Sequence, residues 1–106
     1  MANSSIEIPV TSSFESLGGK SSIGSQKENI TLSKSVREFQ FLDVETYYDS
    51  RYWPMIIPTA RLDVNRIHSY VLPDDRLVRV QITDDTHVDV WTHGDTLSVY
   101  IFGVMK

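Results

Sequence analysis

Hydrophobic and polar residues alternate with a period of two along most of the C-terminal half of this chain. Val78, Val80 and Ile82 fall on one side of the alternation, whereas Arg79 and Gln81 fall on the other. Successive side chains of a β-strand point to opposite faces of a sheet. The pattern therefore predicts strands with one buried and one solvated face.

Four segments with this period follow one another, namely RIHSYVL, RLVRVQI, HVDVW and TLSVYIFGV. The polar turns PDD, TDDT and THGD separate them, and connections this short are typical of hairpins. We therefore expect a four-stranded meander. Its predicted core face continues through Val88, Val90, Leu97, Val99 and Ile101.

The last of these segments is apolar on both sides. Tyr100, Phe102 and Val104 would form an exposed apolar patch on its second face, which soluble monomers usually avoid. We expect this strand to be central in its sheet, or to be covered by the N-terminal segment or by a neighbouring subunit.

The first 35 residues differ in composition from the rest. They contain ten serines, three of the five glycines and a single aromatic residue, Phe14. Such a segment buries too little apolar surface to order itself, so we predict an extended arm over residues 1–35 and a compact β domain over residues 36–106. The alternating stretches IEIPV and ENITLS predict short strands that need an existing surface. Their apolar members are candidate contact residues: Ile6, Ile8, Val10, Ile30 and Leu32.

The segment REFQFLDV permits two interpretations. Phe39 and Phe41 have the spacing of one strand face, whereas Ser35 and Glu38 have the spacing of a capping box that begins a helix. We favour the strand, because no apolar stripe at helical spacing follows. The next residues, YYDSRYWP, are expected to form an aromatic connection ending at Pro54, with short strands at MII and RLDV after it.

These elements predict an all-β fold, either a small antiparallel sandwich or a barrel. The chain has no cysteine, which excludes disulfides, thiolate metal sites and a cysteine nucleophile. A β domain of about 70 residues is close to the lower size for a self-sufficient core, so we expect a protein partner or self-association.

The net charge of −4 resides entirely in residues 36–106, which carry seven basic and eleven acidic side chains. This distribution lacks the basic stripe that neutralises phosphates, so we do not expect nucleic acid as a ligand. The sequence shows neither a signal-peptide pattern nor an apolar run long enough for a membrane span. A soluble, unexported protein is predicted.

The stretch SLGGKSS ends like a phosphate-binding loop. A Walker A motif requires glycine at its first position, where this chain has Phe14, and it requires a strand before the loop and a helix after it. We therefore interpret Gly19-Lys20-Ser21 as part of a flexible linker rather than as a nucleotide site.

Four residues are candidate metal ligands: His87 and Asp89 on one predicted solvated strand face, and His93 and Asp95 near the following turn. Their spacing matches no recognised ligand motif, and carboxylates in turns commonly bond to the local backbone. We predict no metal or cofactor, and whether this group binds an ion stays open. No catalytic constellation is recognisable, so a non-enzymatic role is expected.

Tyr47, Tyr48, Tyr52 and Trp53 cluster beside Arg51. Large amphipathic rings and arginine are enriched at interaction hot spots, but such rings also cap the ends of small cores. Both interpretations stay open. Together with Phe102, these four aromatic residues complete the candidate interaction set.

The expected function is that of a structural or interaction protein. An extended arm, a cysteine-free β domain and an acidic surface resemble, in general plan only, the small accessory proteins of viral or phage particles, such as capsid decoration or cement proteins. In that case the arm would engage neighbouring subunits by strand addition. The alternative is a small acidic inhibitor that binds a basic protein partner.

Overall fold

The computed structural model describes residues 14–93 and 96–105, and these are almost entirely β-structured. The strands are β1 Phe14–Ile23, β2 Glu28–Thr31, β3 Phe41–Tyr48, β4 Arg51–Pro58, β5 Ile67–Val71, β6 Leu77–Asp84, β7 His87–His93 and β8 Leu97–Val104. Short 3-10 helices occupy Val36–Glu38, Thr59–Arg61 and Pro73–Asp75. No helix in the described ranges is long and apolar enough to cross a membrane.

The strands form two four-stranded antiparallel sheets packed face to face, which confirms the expected all-β sandwich. The first sheet has the order β1-β8-β3-β4, and the second has the order β2-β7-β6-β5. Branched aliphatic side chains dominate the core because they suit a pleated, buried surface. Its fully buried members include Leu42, Val44, Val99, Ile101, Val78, Val80, Ile82, Val88 and Val90.

The four predicted C-terminal strands all exist, but only three of them form a meander. β5, β6 and β7 pair consecutively in the second sheet, whereas β8 crosses to the first sheet and pairs with β1 and β3. Leu97, Val99 and Ile101 therefore meet the Val78 face from the opposite layer instead of extending it. The period of two identified the buried face of β8, and of the alternatives left open for this strand the structure shows a place inside its sheet, between β1 and β3.

Residues 14–35 belong to the sandwich, contrary to the predicted boundary at residue 35. β1 pairs along β8 at one edge of the first sheet, and β2 pairs with β7 at one edge of the second. Each strand is polar on one side but contributes buried residues on the other, including Leu17, Ile23 and Ile30. The average composition of residues 1–35 is polar, so it did not reveal that one side of each strand is buried. Residues 1–13, with the candidates Ile6, Ile8 and Val10, lie outside the described residues.

The glycine pair of SLGGKSS lies within β1, so this stretch is neither a phosphate loop nor a linker. A side chain at Gly19 would place its Cβ 2.7 Å from a ring carbon of Tyr100 on β8. Glycine is needed here because the tyrosine ring lies over the strand backbone.

The segment around Phe39 contains parts of both predicted alternatives. Ser35 caps a short 3-10 helix at Val36–Glu38 and accepts a hydrogen bond from the Arg37 amide. β3 begins at Phe41, and Phe39 lies outside the strand with its ring packed over Gly103. The helix ends after one turn, and the chain then continues into β3.

The aromatic connection YYDSRYWP is instead a β-hairpin. Tyr48 pairs with Arg51, and Asp49 and Ser50 form the two-residue loop with φ values of 56° and 59°. Positive φ at both loop positions is what a type I′ turn requires, although asparagine and glycine are its usual residues. The RLDV segment is not a strand, because Thr59–Arg61 is a 3-10 helix and Leu62 then enters the core.

Candidate interaction surface

The outer face of the first sheet, opposite the core, concentrates large apolar and aromatic side chains. We call it the aromatic face. Its described members on β3, β4 and β8 are Phe41, Asp43, Glu45, Tyr47, Tyr52, Pro54, Ile56, Pro58, Ser98, Tyr100, Phe102 and Val104. These positions alternate with buried ones such as Leu42 and Val44, which fixes the direction in which they point.

Several large side chains of the aromatic face are accessible to solvent. Tyr47 is 42 % exposed, Tyr52 is 59 % exposed and Ile56 is 54 % exposed. The Tyr47 and Tyr52 rings lie with their centroids 5.0 Å apart, and Tyr52 and Tyr100 are 6.2 Å apart. The three rings therefore form one continuous group across three strands.

β4, at the free edge of the first sheet, is poorly suited to pairing with another strand. In a two-residue hairpin, hydrogen-bonded pairs alternate with non-hydrogen-bonded pairs from the Tyr48–Arg51 pair onward. Pro54 and Pro58 thus occupy positions whose N–H would point outward from the sheet. Because proline has no N–H, this edge presents few donors, and its available surface is the face rather than the edge.

A carboxyl pair lies within the aromatic face. Asp43 is only 6 % exposed, between Ile56 on β4 and Phe102 on β8, and its Oδ1 atom has no hydrogen-bond partner. Glu45, two residues along the same face, lies between Pro54 and Tyr100. Buried polar atoms are usually satisfied, so this carboxylate oxygen is an unusual feature.

Burial is the largest cause of an altered acidity at Asp43. Together with a side-chain hydrogen bond to Glu45 and the negative charge of Glu45, it raises the pKa of Asp43 to about 7. Desolvation disfavours the charged form of a carboxyl group, and a neighbouring carboxylate acts in the same direction. The pair therefore holds a proton well above the pH at which ordinary aspartates lose theirs.

No protein-family model, curated protein or solved structure matches this chain. Its function is therefore inferred from the geometry of its surfaces.

The aromatic group predicted from sequence divides between the two sides of the first sheet. Tyr47 and Tyr52 lie on the aromatic face, whereas Tyr48 and Trp53 pack against the core. The Trp53 Nε1 atom donates to the Tyr48 carbonyl at 2.8 Å, and the Tyr48 hydroxyl donates to Asp74 Oδ2 at 3.1 Å. Both predicted roles thus occur: Tyr48 and Trp53 cap the core, and Tyr47 and Tyr52 are exposed on the surface.

The other predicted contact residues have different environments. Ile30 and Leu32 are buried in the chain's own core, while Phe102 is half-buried on the aromatic face beside Asp43. Sequence reasoning missed Asp43 and Glu45. In the sequence, these two acids lie on the same side of a predicted strand as Phe41 and Tyr47. Within a single strand, acids at these positions indicate only an ordinary solvent-exposed face.

On β6 and β7 the outer face of the second sheet is mainly polar, as the alternation predicted, whereas β5 at its edge presents the exposed Ile67 and Val71. We call it the polar face; its members include Arg79, Gln81, His87, Asp89 and Trp91. From the β2 edge, Lys27 donates to Gln81 Oε1 at 3.1 Å, and Asn29 donates to Asp89 Oδ1 at 2.9 Å. The Lys27 ammonium also lies 4.8 Å from the Trp91 ring centroid.

The candidate metal ligands engage neighbouring side chains. His87 Nδ1 lies 2.8 Å from Asp84 Oδ1, and a hydrogen bond from His87, followed by one from the Thr86 amide, lowers the pKa of Asp84. His93 ends β7, and Asp95 lies outside the described residues. Within 14–93 and 96–105, no group of three His, Asp or Glu residues could hold a metal ion.

Proposed function

We propose that this protein is a non-enzymatic interaction module that binds a protein partner on its aromatic face. The observation that carries the proposal is the continuous group of exposed rings and prolines around a buried carboxyl with an unsatisfied oxygen. Contiguous exposed apolar surface marks interaction sites in soluble proteins, and tyrosine is enriched at their energetic centres.

The chemistry of the face specifies the partner: a segment that presents apolar residues around a basic side chain. Asp43 and Glu45 supply the negative charge, and no ion pair joins either of them to a described cation. A second copy of the chain fits less well. Two-fold packing of this face centred on the carboxyl pair would bring the two pairs together, and juxtaposed like charges are costly.

This mode of binding differs from arm-mediated strand addition. Residues 14–35 are engaged within the sandwich and so cannot serve as a free arm. A role in a virion, as a decoration or cement-type protein, is a narrower form of this proposal, in which the partner is a lattice subunit.

The acidic-inhibitor alternative is less favoured by the distribution of charge. Many acidic side chains are already paired within the chain, including Glu15 with Lys34, Glu28 with Lys20 and Asp85 with Arg37. A charge mimic requires a dense array of unpaired carboxylates, and these pairs reduce it.

Selection from a displayed random peptide library, with the full chain as bait, tests the proposal. Selected peptides should bind the double variant Tyr52→Ser/Ile56→Ser at least tenfold more weakly than the parent, as measured by fluorescence anisotropy. The matched control is Ile67→Ser/Val71→Ser, which removes two similarly exposed residues, 49 % and 63 %, from the outer side of β5. It should bind like the parent.

Equal peptide binding by both double variants would contradict the proposal. So would light scattering that shows a stable homodimer which Tyr52→Ser/Ile56→Ser converts to monomer, because the occupant would then be a second copy.

A further inference from the structure

The carboxyl pair on the aromatic face has a specific geometry. Asp43 and Glu45 project from the same side of β3, two residues apart, and the Asp43 Oδ1 atom is buried without a partner. A buried, unpaired carboxylate oxygen costs free energy that a bound donor would recover. Glu45 is half-buried whereas Asp43 Oδ1 is buried, so a donor from outside reaches Glu45 directly and reaches Asp43 Oδ1 once the neighbouring side chains move.

The strands around the pair provide no cation of their own. Along β3 the ionisable neighbours are Glu45 itself and Tyr47; on β4 the only ionisable group of the aromatic face is Tyr52, and on β8 it is Tyr100. On β1 the positions that pair with these outer residues of β8 are Phe14, Ser16 and Gly19, which carry no charge. In the described part of the chain, the pair therefore faces apolar side chains and tyrosine rings.

We propose that Asp43 and Glu45 bind a single arginine side chain of the partner, and that the pair gives up a shared proton to solvent when the arginine binds. This inference rests on the proposed function. No pocket is found among the described residues, so a ligand would approach the pair across the open face of the sheet. A guanidinium group is planar, donates bidentately to carboxylates and stacks on aromatic rings, whereas an ammonium group is a compact point charge that is strongly hydrated.

The tyrosine group is placed to assist. Tyr100 is the β8 neighbour of Glu45, and its ring lies 6.2 Å from that of Tyr52. A guanidinium bound to the two carboxyls can contact these ring faces, an arrangement that adds cation–π attraction. Binding to a surface that lacks its own cation also gives the partner specificity, because a neutral residue at that position would leave the carboxyl unsatisfied.

Proton release makes the affinity depend on pH. Burial and the proximity of Glu45 raise the pKa of Asp43 to about 7, so at pH 6 most molecules hold the proton and at pH 8 most have lost it. The fraction of molecules without the proton therefore rises about tenfold from pH 6 to pH 8, and the affinity for arginine should strengthen by the same factor.

NMR titration of the full chain with N-acetyl-arginine amide tests the inference, with the neutral N-acetyl-citrulline amide as the matched probe. The arginine probe should shift the side-chain carboxyl resonances of Asp43 and Glu45 and bind about tenfold more tightly at pH 8 than at pH 6. The citrulline probe should not shift them. Asp43→Asn should remove the pH dependence, and Glu45→Gln should weaken binding, whereas Asp89→Asn on the polar face should change neither.

Equal binding of the two probes, or an affinity that is constant from pH 6 to pH 8, would overturn the inference. These outcomes leave the proposed function intact if selected peptides still lose affinity for Tyr52→Ser/Ile56→Ser without requiring an arginine. Failure of that peptide test, in contrast, would contradict the proposal that the aromatic face is the binding surface.

Discussion

The two outer faces of the sandwich differ in how far their side chains find hydrogen-bond partners within the chain. On the polar face, side chains bond to each other across strands, as Lys27 does with Gln81 and Asn29 does with Asp89. On the aromatic face, Tyr52 and Ile56 are more than half exposed and Asp43 is buried with an unsatisfied oxygen. Described side chains of the β2 edge, β6 and β7 thus satisfy one another on the polar face, whereas the aromatic face contains a buried carboxylate oxygen without a partner.

The difference arises from the side chains rather than from the architecture, because both sheets have four antiparallel strands and bury equivalent inner faces. Polar residues on neighbouring strands of the second sheet stand close enough to pair. The corresponding outer positions of β3, β4 and β8 combine acids with rings and prolines, which provide no donor that reaches Asp43 Oδ1.

Introducing a negative charge should produce the largest difference in stability between a variant of the aromatic face and a variant of the polar face. Phe102→Asp places a carboxylate directly opposite Asp43, where a partly buried like charge should destabilise the fold by about 3 kcal/mol or more at pH 8. The loss should be smaller at pH 5, because Asp43, whose pKa is raised to about 7, is then uncharged. Gln81→Glu on the polar face, beside Lys27, should change stability little. Urea denaturation at both pH values measures this, and equal losses from the two variants would contradict the contrast between the faces.

Removing the buried charge should stabilise the protein. The raised pKa of Asp43 means that the folded chain binds this proton more tightly than the unfolded chain, so stability falls as pH rises from about 4 through 7. Asp43→Asn should abolish that fall and be more stable than the parent by up to about 4 kcal/mol at pH 8, since a pKa raised from 3.8 to about 7 is about a thousandfold difference in proton affinity between the folded and unfolded chains, and each tenfold corresponds to about 1.4 kcal/mol. Near pH 4 the gain should vanish. Thermal unfolding from pH 4 to pH 8 tests this, with Asp89→Asn as the control that should follow the parent.

A buried hydroxyl pair provides a polar contact that is satisfied inside the sandwich. Thr46 on β3 is fully buried and hydrogen-bonds to the Tyr70 hydroxyl, which donates to the Trp53 carbonyl at 3.2 Å. Tyr70→Phe leaves Thr46 unsatisfied and should cost about 1–2 kcal/mol. Adding Thr46→Val should recover part of this loss in a double-mutant cycle. Additive losses in equilibrium unfolding would show that the two hydroxyls do not depend on each other.

Single contacts of the polar face should matter least. Lys27→Ala removes an exposed hydrogen bond and a cation–π contact, and Asn29→Ala removes an exposed hydrogen bond. Each should destabilise the fold by about 0.5 kcal/mol or less, because exposed polar contacts compete with water. Melting temperatures measured by calorimetry test this, and a loss comparable with that of Phe102→Asp would show that the polar face also carries a major part of the stability.

Part of the candidate surface could be predicted from the sequence. The aromatic group pointed to Tyr47 and Tyr52, but the fact that they alternate with Tyr48 and Trp53 across a hairpin required the turn at Asp49 and Ser50 to be placed. That turn lacks glycine, so its usual signal was absent. The importance of Asp43 could not be predicted, because its burial depends on Ile56 across a hairpin that the sequence did not signal and on Phe102, which is distant in sequence.

The sequence by itself determined the all-β class, the positions of β5 to β8, and the inward direction of Val78, Val80 and Ile82. These features follow from a period of two and from turn residues, both of which are local properties. Tertiary structure decided that β8 joins the first sheet, that β1 and β2 complete the two edges, and that a carboxyl pair is enclosed among rings. Strand pairing is a competition among distant segments for the same apolar surface, and a local pattern contains no information on which pairing buries the most.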